Sequence, residues 1–327
     1  MKTAFGHNRA VSHRHHDMAS LDPVILFFAL GLLAGLARSD LRLPAAIYDF
    51  LTVVLLLAIG LKGGVELARQ PAAALLLPSL AVIAMGLVLP LLAYAWLRLG
   101  LARVDAAAIA GHYGSVSVGT FAVAVAFVQA QGLAFEGYLA LFVVLLEVPA
   151  IVVGIVLARG LAAGTRWGEL AGEVLLGKSI VLLLGGLAIG WIAGEDGLAP
   201  MSGLFVDLFK GFLALFLLEM GLITAARAGD LRRSGLFLMA FAVLFPLGSA
   251  VVGATLGWLL GLSVGGTMLL ATLAASASYI AAPAAFRLAV PQANPALSLA
   301  ASLGITFPFN VLVGLPLYLG LARWLHA

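Results

Sequence analysis

Four serines in two short polar breaks are the clearest candidates for chemistry in this chain. Ser115 and Ser117 lie in GHYGSVSVGT (Gly111 to Thr120), and Ser276 and Ser278 lie in ASASYIAAP (Ala275 to Pro283), each inside an otherwise apolar run. The two pairs share one offset, 161 residues. Gly111, Gly114 and Gly119 in the first break and Pro283 in the second favour an unwound backbone. Unwinding a helix frees amides at the start of its second half, where the helix dipole favours a small anion. It also frees carbonyls at the end of the first half, which with Ser and Thr hydroxyls make an oxygen cage suited to sodium. The candidate substrate site is therefore Gly114, Ser115, Val116, Ser117 and Thr120 with Ser276, Ala277, Ser278 and Tyr279. The plainer alternative is that small residues let helices pack closely and that serines bond back to their own helix. A single break would favour that alternative, whereas matching breaks in matching spans point to a transporter site.

Ionisable residues inside apolar spans are costly and call for a functional hypothesis. Glu147 stands before Pro149 in LLEVPA, and its counterpart in the second half of the chain is Thr306 in GITFPFN. We assign Ser115, Ser117, Glu147, Ser276, Ser278, Thr306 and Asn310 as the candidate sodium ligands. Lys62 in GLKGG and Glu219 in LLEMG are expected to form a structural or gating ion pair. His112 is read as a hydrogen-bonding wall residue, and Arg287 as a residue reaching for lipid headgroups or drawing substrate inward. The absence of cysteine excludes disulfides and thiolate chemistry. A serine hydrolase is disfavoured because His112 shares a segment with Ser115 and no other span offers a base.

These residues must be positioned by membrane helices. Of 327 residues, 63% are hydrophobic and 10% charged, values outside the range of soluble domains. The apolar runs are continuous rather than alternating, which predicts an all-α integral membrane protein and not a barrel. Charges, prolines and glycines divide the chain into ten expected spans: 22–38, 45–68, 73–97, 105–129, 134–158, 177–194, 203–226, 235–260, 264–290 and 296–325. The second five resemble the first. GLLAG at Gly31 returns as GLAIG at Gly186, LLLAIGL ending at Leu61 as LFLLEMGL ending at Leu222, and Pro149 as Pro308, at offsets of 155 to 161. Five spans per repeat invert the second copy, giving two inverted repeats, 22–158 and 177–327, with helices 4 and 9 broken. Residues 159–176 read as a cytoplasmic linker and residues 1–21, rich in histidine, as a disordered extension without a functional role. Ten Lys and Arg side chains, among them Arg38, Arg98, Arg103, Arg159, Arg166, Lys178, Arg232 and Arg233, fall on one side. Arg69 and Arg323 fall on the other, with Lys2, Arg9 and Arg14 of the extension, so both termini are expected on the outer, periplasmic side of a bacterial inner membrane. No basic stripe suggests nucleic acid.

The segments AIGLKGG, GHYGSVSVGTFAVA, LEVPAIV, ASASYIAAP, AVPQANP and GLPLYLGLA together resemble the cyanobacterial-type sodium-dependent bicarbonate transporters, from about Asp22 onward. The resemblance implies a homotrimer in which spans 1, 2, 6 and 7 form a gate or scaffold. Spans 3 to 5 and 8 to 10 would form a core that carries bicarbonate and sodium by an elevator motion. It also implies a PII-like regulatory protein at the cytoplasmic face. Gly114, Ser115, Ser117 and Thr120 occupy the family's small and hydroxyl positions, and Glu147 its acidic position before proline. Cyanobacterial members follow the second serine run with aspartate and glycine before the proline, where this chain has Tyr279, Ile280 and two alanines. The expected function is sodium-coupled uptake of bicarbonate, with no enzymatic activity and no cofactor besides the coupling sodium. The alternatives are a sodium- or proton-coupled carrier of another small monocarboxylate, an intramembrane serine hydrolase, or a passive channel.

Overall fold

The computed structural model describes residues 23–160, 175–227 and 235–327, with isolated positions between them. The expected extension at 1–21, most of the expected linker at 159–176, and Arg166, Arg232 and Arg233 lie outside the described residues. Every regular element described is helical: α1 (Pro23–Leu36), α2 (Ala45–Ala68), α3 (Ala72–Leu97), α4 (Arg103–Gly114), α5 (Val118–Ala130), α6 (Leu139–Arg159), α7 (Lys178–Leu198), α8 (Phe209–Ala226), α9 (Gly235–Leu259), α10 (Val264–Ala274), α11 (Ala281–Ala289) and α12 (Pro295–Leu325). Helix is the only open-chain structure that satisfies its own backbone groups in hydrocarbon. Eight of the ten expected spans are long and apolar enough to cross a membrane, counting α4 with α5 as one. The expected first span is α1, apolar but only 14 residues long, and the expected ninth is divided between α10 and α11. The chain is an all-α integral membrane protein.

Two groups of helices surround the breaks. Helix α2 lies along α7, α1 lies along α8, and α2 also touches α8. Glycines set both seams. A Cβ at Gly60 would come within 2.8 Å of the Leu183 carbonyl of α7, and one at Gly31 would collide with the Leu218 carbonyl of α8. The partner glycines across these seams, Gly186 and Gly221, are equally closed, against Gly60 and the Phe28 carbonyl. Gly31 and Gly186 differ by 155 residues and Gly60 and Gly221 by 161, so the sequence offsets relate one seam to the other.

The remaining helices form the second group. Helices α3, α4 and α6 pack on one another, as do α9, α10 and α12, and the two sets meet through α3 with α9, α5 with α10, and α6 with α11. The broken α4–α5 span lies in the middle of the protein: 83% of its apolar window is buried, against 28% for α7. Its polar backbone therefore faces protein and not lipid, the condition under which a break is tolerated at membrane depth. Leu76, Leu77 and Leu80 of α3 and Trp191 and Ile192 of α7 are exposed apolar side chains of the kind that suits a lipid boundary.

Candidate functional site: two broken helices in contact

Helix α4 stops at Gly114 because Gly114 lies against the Pro90 ring of α3 and Ser115 turns extended, at φ −80° and ψ 178°. Ser117, also extended, caps α5 by accepting from the Thr120 amide at 3.0 Å. The second break follows the same plan. Helix α10 ends at Ala274, and the Ser278 hydroxyl accepts from the Ala282 amide at 3.1 Å to start α11. Ser117 is thus the N-cap of its half-helix, whereas Ser278 stands two residues before the N-cap Ile280 and still supplies an acceptor that the first turn of α11 lacks.

Each second half-helix docks on the first half of the other. The Ser117 amide donates to the Ser276 hydroxyl at 2.9 Å, and the Ser278 amide donates to the His112 carbonyl at 2.8 Å. Ser276 in turn donates its proton to the Leu273 carbonyl at 2.9 Å. Helix starts with positive ends and helix ends with negative ones therefore meet in a single buried region. Among the described residues no bond from outside the helices reaches the amides of Val118, Gly119, Tyr279 and Ile280, and Val118 and Gly119 are first-turn positions with no acceptor in their own helix. The hydroxyl protons of Ser115, Ser117 and Ser278 are likewise uncommitted, and Ser115 Oγ has no partner at all. Only Ser276 has its proton spent. An anion can be met by several donors at this point, while the carbonyl ends offer oxygen to a cation.

Tyr279 occupies a distinct position. Its ring packs edge-on to Phe307 at 5.6 Å, and its hydroxyl lies beside Ser117 without completing a hydrogen bond. The space a Cβ would need at Gly119 is taken by that hydroxyl and by Phe216 of α8, which stacks on Tyr48 of α2 at 5.7 Å. An aromatic wall thus separates the breaks from α2 and α8.

The sodium candidates divide. Glu147 is 1% exposed and its Oε2 has no partner, a buried oxygen suited to a cation or a proton. Thr306 and Asn310 are instead braces. Thr306 donates to the Ala242 carbonyl at 2.7 Å, which makes the Tyr113 hydroxyl, at 2.6 Å, the donor to it. Asn310 donates to the Ala275 carbonyl at 2.9 Å and accepts from Tyr318 at 2.6 Å. Both lie in α12, where π turns at Ala300–Thr306 and Asn310–Gly314 flank Pro308 and aim these side chains into the core. The expected pair of Lys62 and Glu219 does not form. Lys62 Nζ stands 5.6 Å over the Phe135 ring, and the Glu219 carboxyl turns to the Leu43 backbone with its Oε2 unpartnered. Among the described residues no three of His, Asp and Glu cluster as a metal site.

Sequence reasoning did not find Tyr113, Tyr318, Phe216 or Tyr48. Tyr113 lies inside the first break, where glycine and serine drew the reading instead, and the other three read as ordinary span residues. A family model described as the Na+-dependent bicarbonate transporter superfamily matches residues 23–323. No curated protein matches the chain.

Proposed function

The chain belongs to the Na+-dependent bicarbonate transporter superfamily, and from that premise we propose that it is a symporter carrying bicarbonate inward with sodium by an elevator-type motion. The observation that carries this reading is the contact of the two breaks through Ser117, Ser276, Ser278 and His112, which gathers free amides, hydroxyl protons and carbonyl oxygens in one buried place. The proposed substrate site is the Gly114–Ser117 stretch with Thr120, and the Ser276–Tyr279 stretch facing it. Sodium is placed at the carbonyl ends and at Glu147. Ser115, Ser117, Ser276 and Ser278 supply further lone pairs, and Thr306 and Asn310 hold the cage as much as they ligate. Moving one negative charge against an interior-negative potential costs about 2.3 kcal/mol per 100 mV, and each sodium moving with it contributes the opposite sign.

The recurrence of the glycine seams at the two sequence offsets supports two inverted repeats, 22–158 and 177–327. In this arrangement α1, α2, α7 and α8 are the scaffold, and the other helices are the moving core. Ten crossings, a homotrimer, a bacterial inner membrane with both termini outside, lipid on the outer faces and a PII-like partner at the inner face belong to the same proposal. A hydrolase is opposed by Ser115 itself, whose hydroxyl has no base within hydrogen-bonding reach. Tyr279 and its aromatic neighbours favour one second reading, a small organic monocarboxylate with an apolar end as cargo. Uptake of labelled bicarbonate by proteoliposomes, with and without a sodium gradient and with acetate or pyruvate as competitors, separates the two.

A further inference from the structure

A cavity of about 110 Å³ lies between α4, α11 and the start of α12, on the other side of His112 from the contact of the breaks. Its polar side chains are His112, Arg287 and Ser298, and no carboxylate lines it. His112 and Ser298 are each 2% exposed. The His112 Nδ1 lies 2.7 Å from the Ala108 carbonyl, which can only accept, so Nδ1 carries a proton, and in the neutral form of the ring Nε2 is an acceptor. Among the described residues neither Nε2 nor the Ser298 hydroxyl takes part in a hydrogen bond, and Arg287 forms no ion pair. The His112 ring is held by Phe286 at 5.4 Å. The mouth is braced by Arg159, which donates to the Ala289 carbonyl at 3.0 Å, and by Asp105, which accepts from the Asn294 amide at 2.8 Å.

We propose that this cavity is a second anion site, which binds a small planar oxyanion that itself carries an O–H. Arg287 and the Ser298 hydroxyl are donors for two oxygens, and His112 Nε2 is an acceptor for the O–H. Hydrogencarbonate has this pattern, whereas nitrate has the same shape and charge but nothing to donate to Nε2. A site built around a ligand O–H discriminates strongly against the analogue that lacks it, because its own acceptor is then left unpaired. The His112 carbonyl receives the Ser278 amide, so one residue forms the wall between this cavity and the broken helices. The proposal rests on the transport reading above, and makes the cavity the station where bicarbonate waits on the side of Arg103 and Arg159.

The test is the half-saturating concentration of labelled bicarbonate at each membrane face, in right-side-out and inside-out proteoliposomes of the full chain. Arg287→Gln and Ser298→Ala are each expected to raise the value at the Arg103 face about fivefold or more relative to the other face. His112→Phe, which keeps a ring against Phe286, is expected to bring nitrate inhibition at that face up to the level of unlabelled bicarbonate. Ratios that stay at the wild-type value in Arg287→Gln and Ser298→Ala, with wild-type transport intact, overturn the second site alone. Absence of bicarbonate transport by the wild-type protein at either face overturns the transport reading and this inference together.

Discussion

The Ser117 amide and the Ser276 hydroxyl meet at 2.9 Å across 159 residues of chain, and through this bond the start of α5 rests on the end of α10. A shift of either broken helix alone would break this bond. The pair of breaks is therefore one structural unit, held by serines whose hydroxyls serve the backbone before they serve any ligand.

Ser276 and Ser115 are expected to respond differently to the same change. Ser276→Ala leaves the buried Ser117 amide unpaired and should lower stability by about 1–3 kcal/mol. Ser115 has no partner to lose, so Ser115→Ala should leave stability unchanged or slightly higher while weakening bicarbonate uptake. Thermal unfolding of both variants in detergent, read beside uptake, checks the contrast.

Gly119 has no room for a side chain because the Tyr279 hydroxyl fills that place. Gly119→Ala is expected to destabilise by about 1–3 kcal/mol, the usual range for overpacking. Removing the hydroxyl in Tyr279→Phe should recover part of that loss in the double variant. Additive losses in the four-protein cycle would show that the two residues do not compete for space.

Glu147→Gln keeps the shape and removes the charge of a buried group with an unpartnered oxygen. If that carboxylate meets the coupling cation, the half-saturating sodium concentration should rise about tenfold, equivalent to about 1.4 kcal/mol, with bicarbonate affinity at saturating sodium less affected. An unchanged sodium titration would assign Glu147 to packing.

Lys62 and Glu219 are expected to behave independently. Because Lys62 faces Phe135 and Glu219 faces the Leu43 backbone, the stability effects of Lys62→Gln and Glu219→Gln should add within about 0.5 kcal/mol. Coupling well above that would restore the ion pair.

The contrast between these residues shows how far the sequence could be read. The breaks were legible because glycine, proline and serine inside an apolar run have few roles, and a shared offset marked them as a pair. The stacking of α2 on α7 and α1 on α8 was implicit in glycines that repeat at the same offsets. The Lys62–Glu219 pair was expected only because both charges sit in apolar spans, and charge alone does not say which way a side chain turns. Thr306 and Asn310 have the oxygens of ligands. Their use as braces depends on Tyr113 and Tyr318, which come within 2.6 Å of them only once α12 is folded with its π turns. Hydrogen bonds that a helix break makes to itself, such as Ser117 to Thr120, consume groups that sequence alone counts as free.

Sodium-driven accumulation of labelled bicarbonate in proteoliposomes tests the central claim most directly. Concentrative uptake should appear with an inward sodium gradient and collapse when sodium is replaced by potassium, and it should fall in Ser276→Ala. Uptake indifferent to sodium, or displaced more strongly by acetate or pyruvate than by unlabelled bicarbonate, would contradict it.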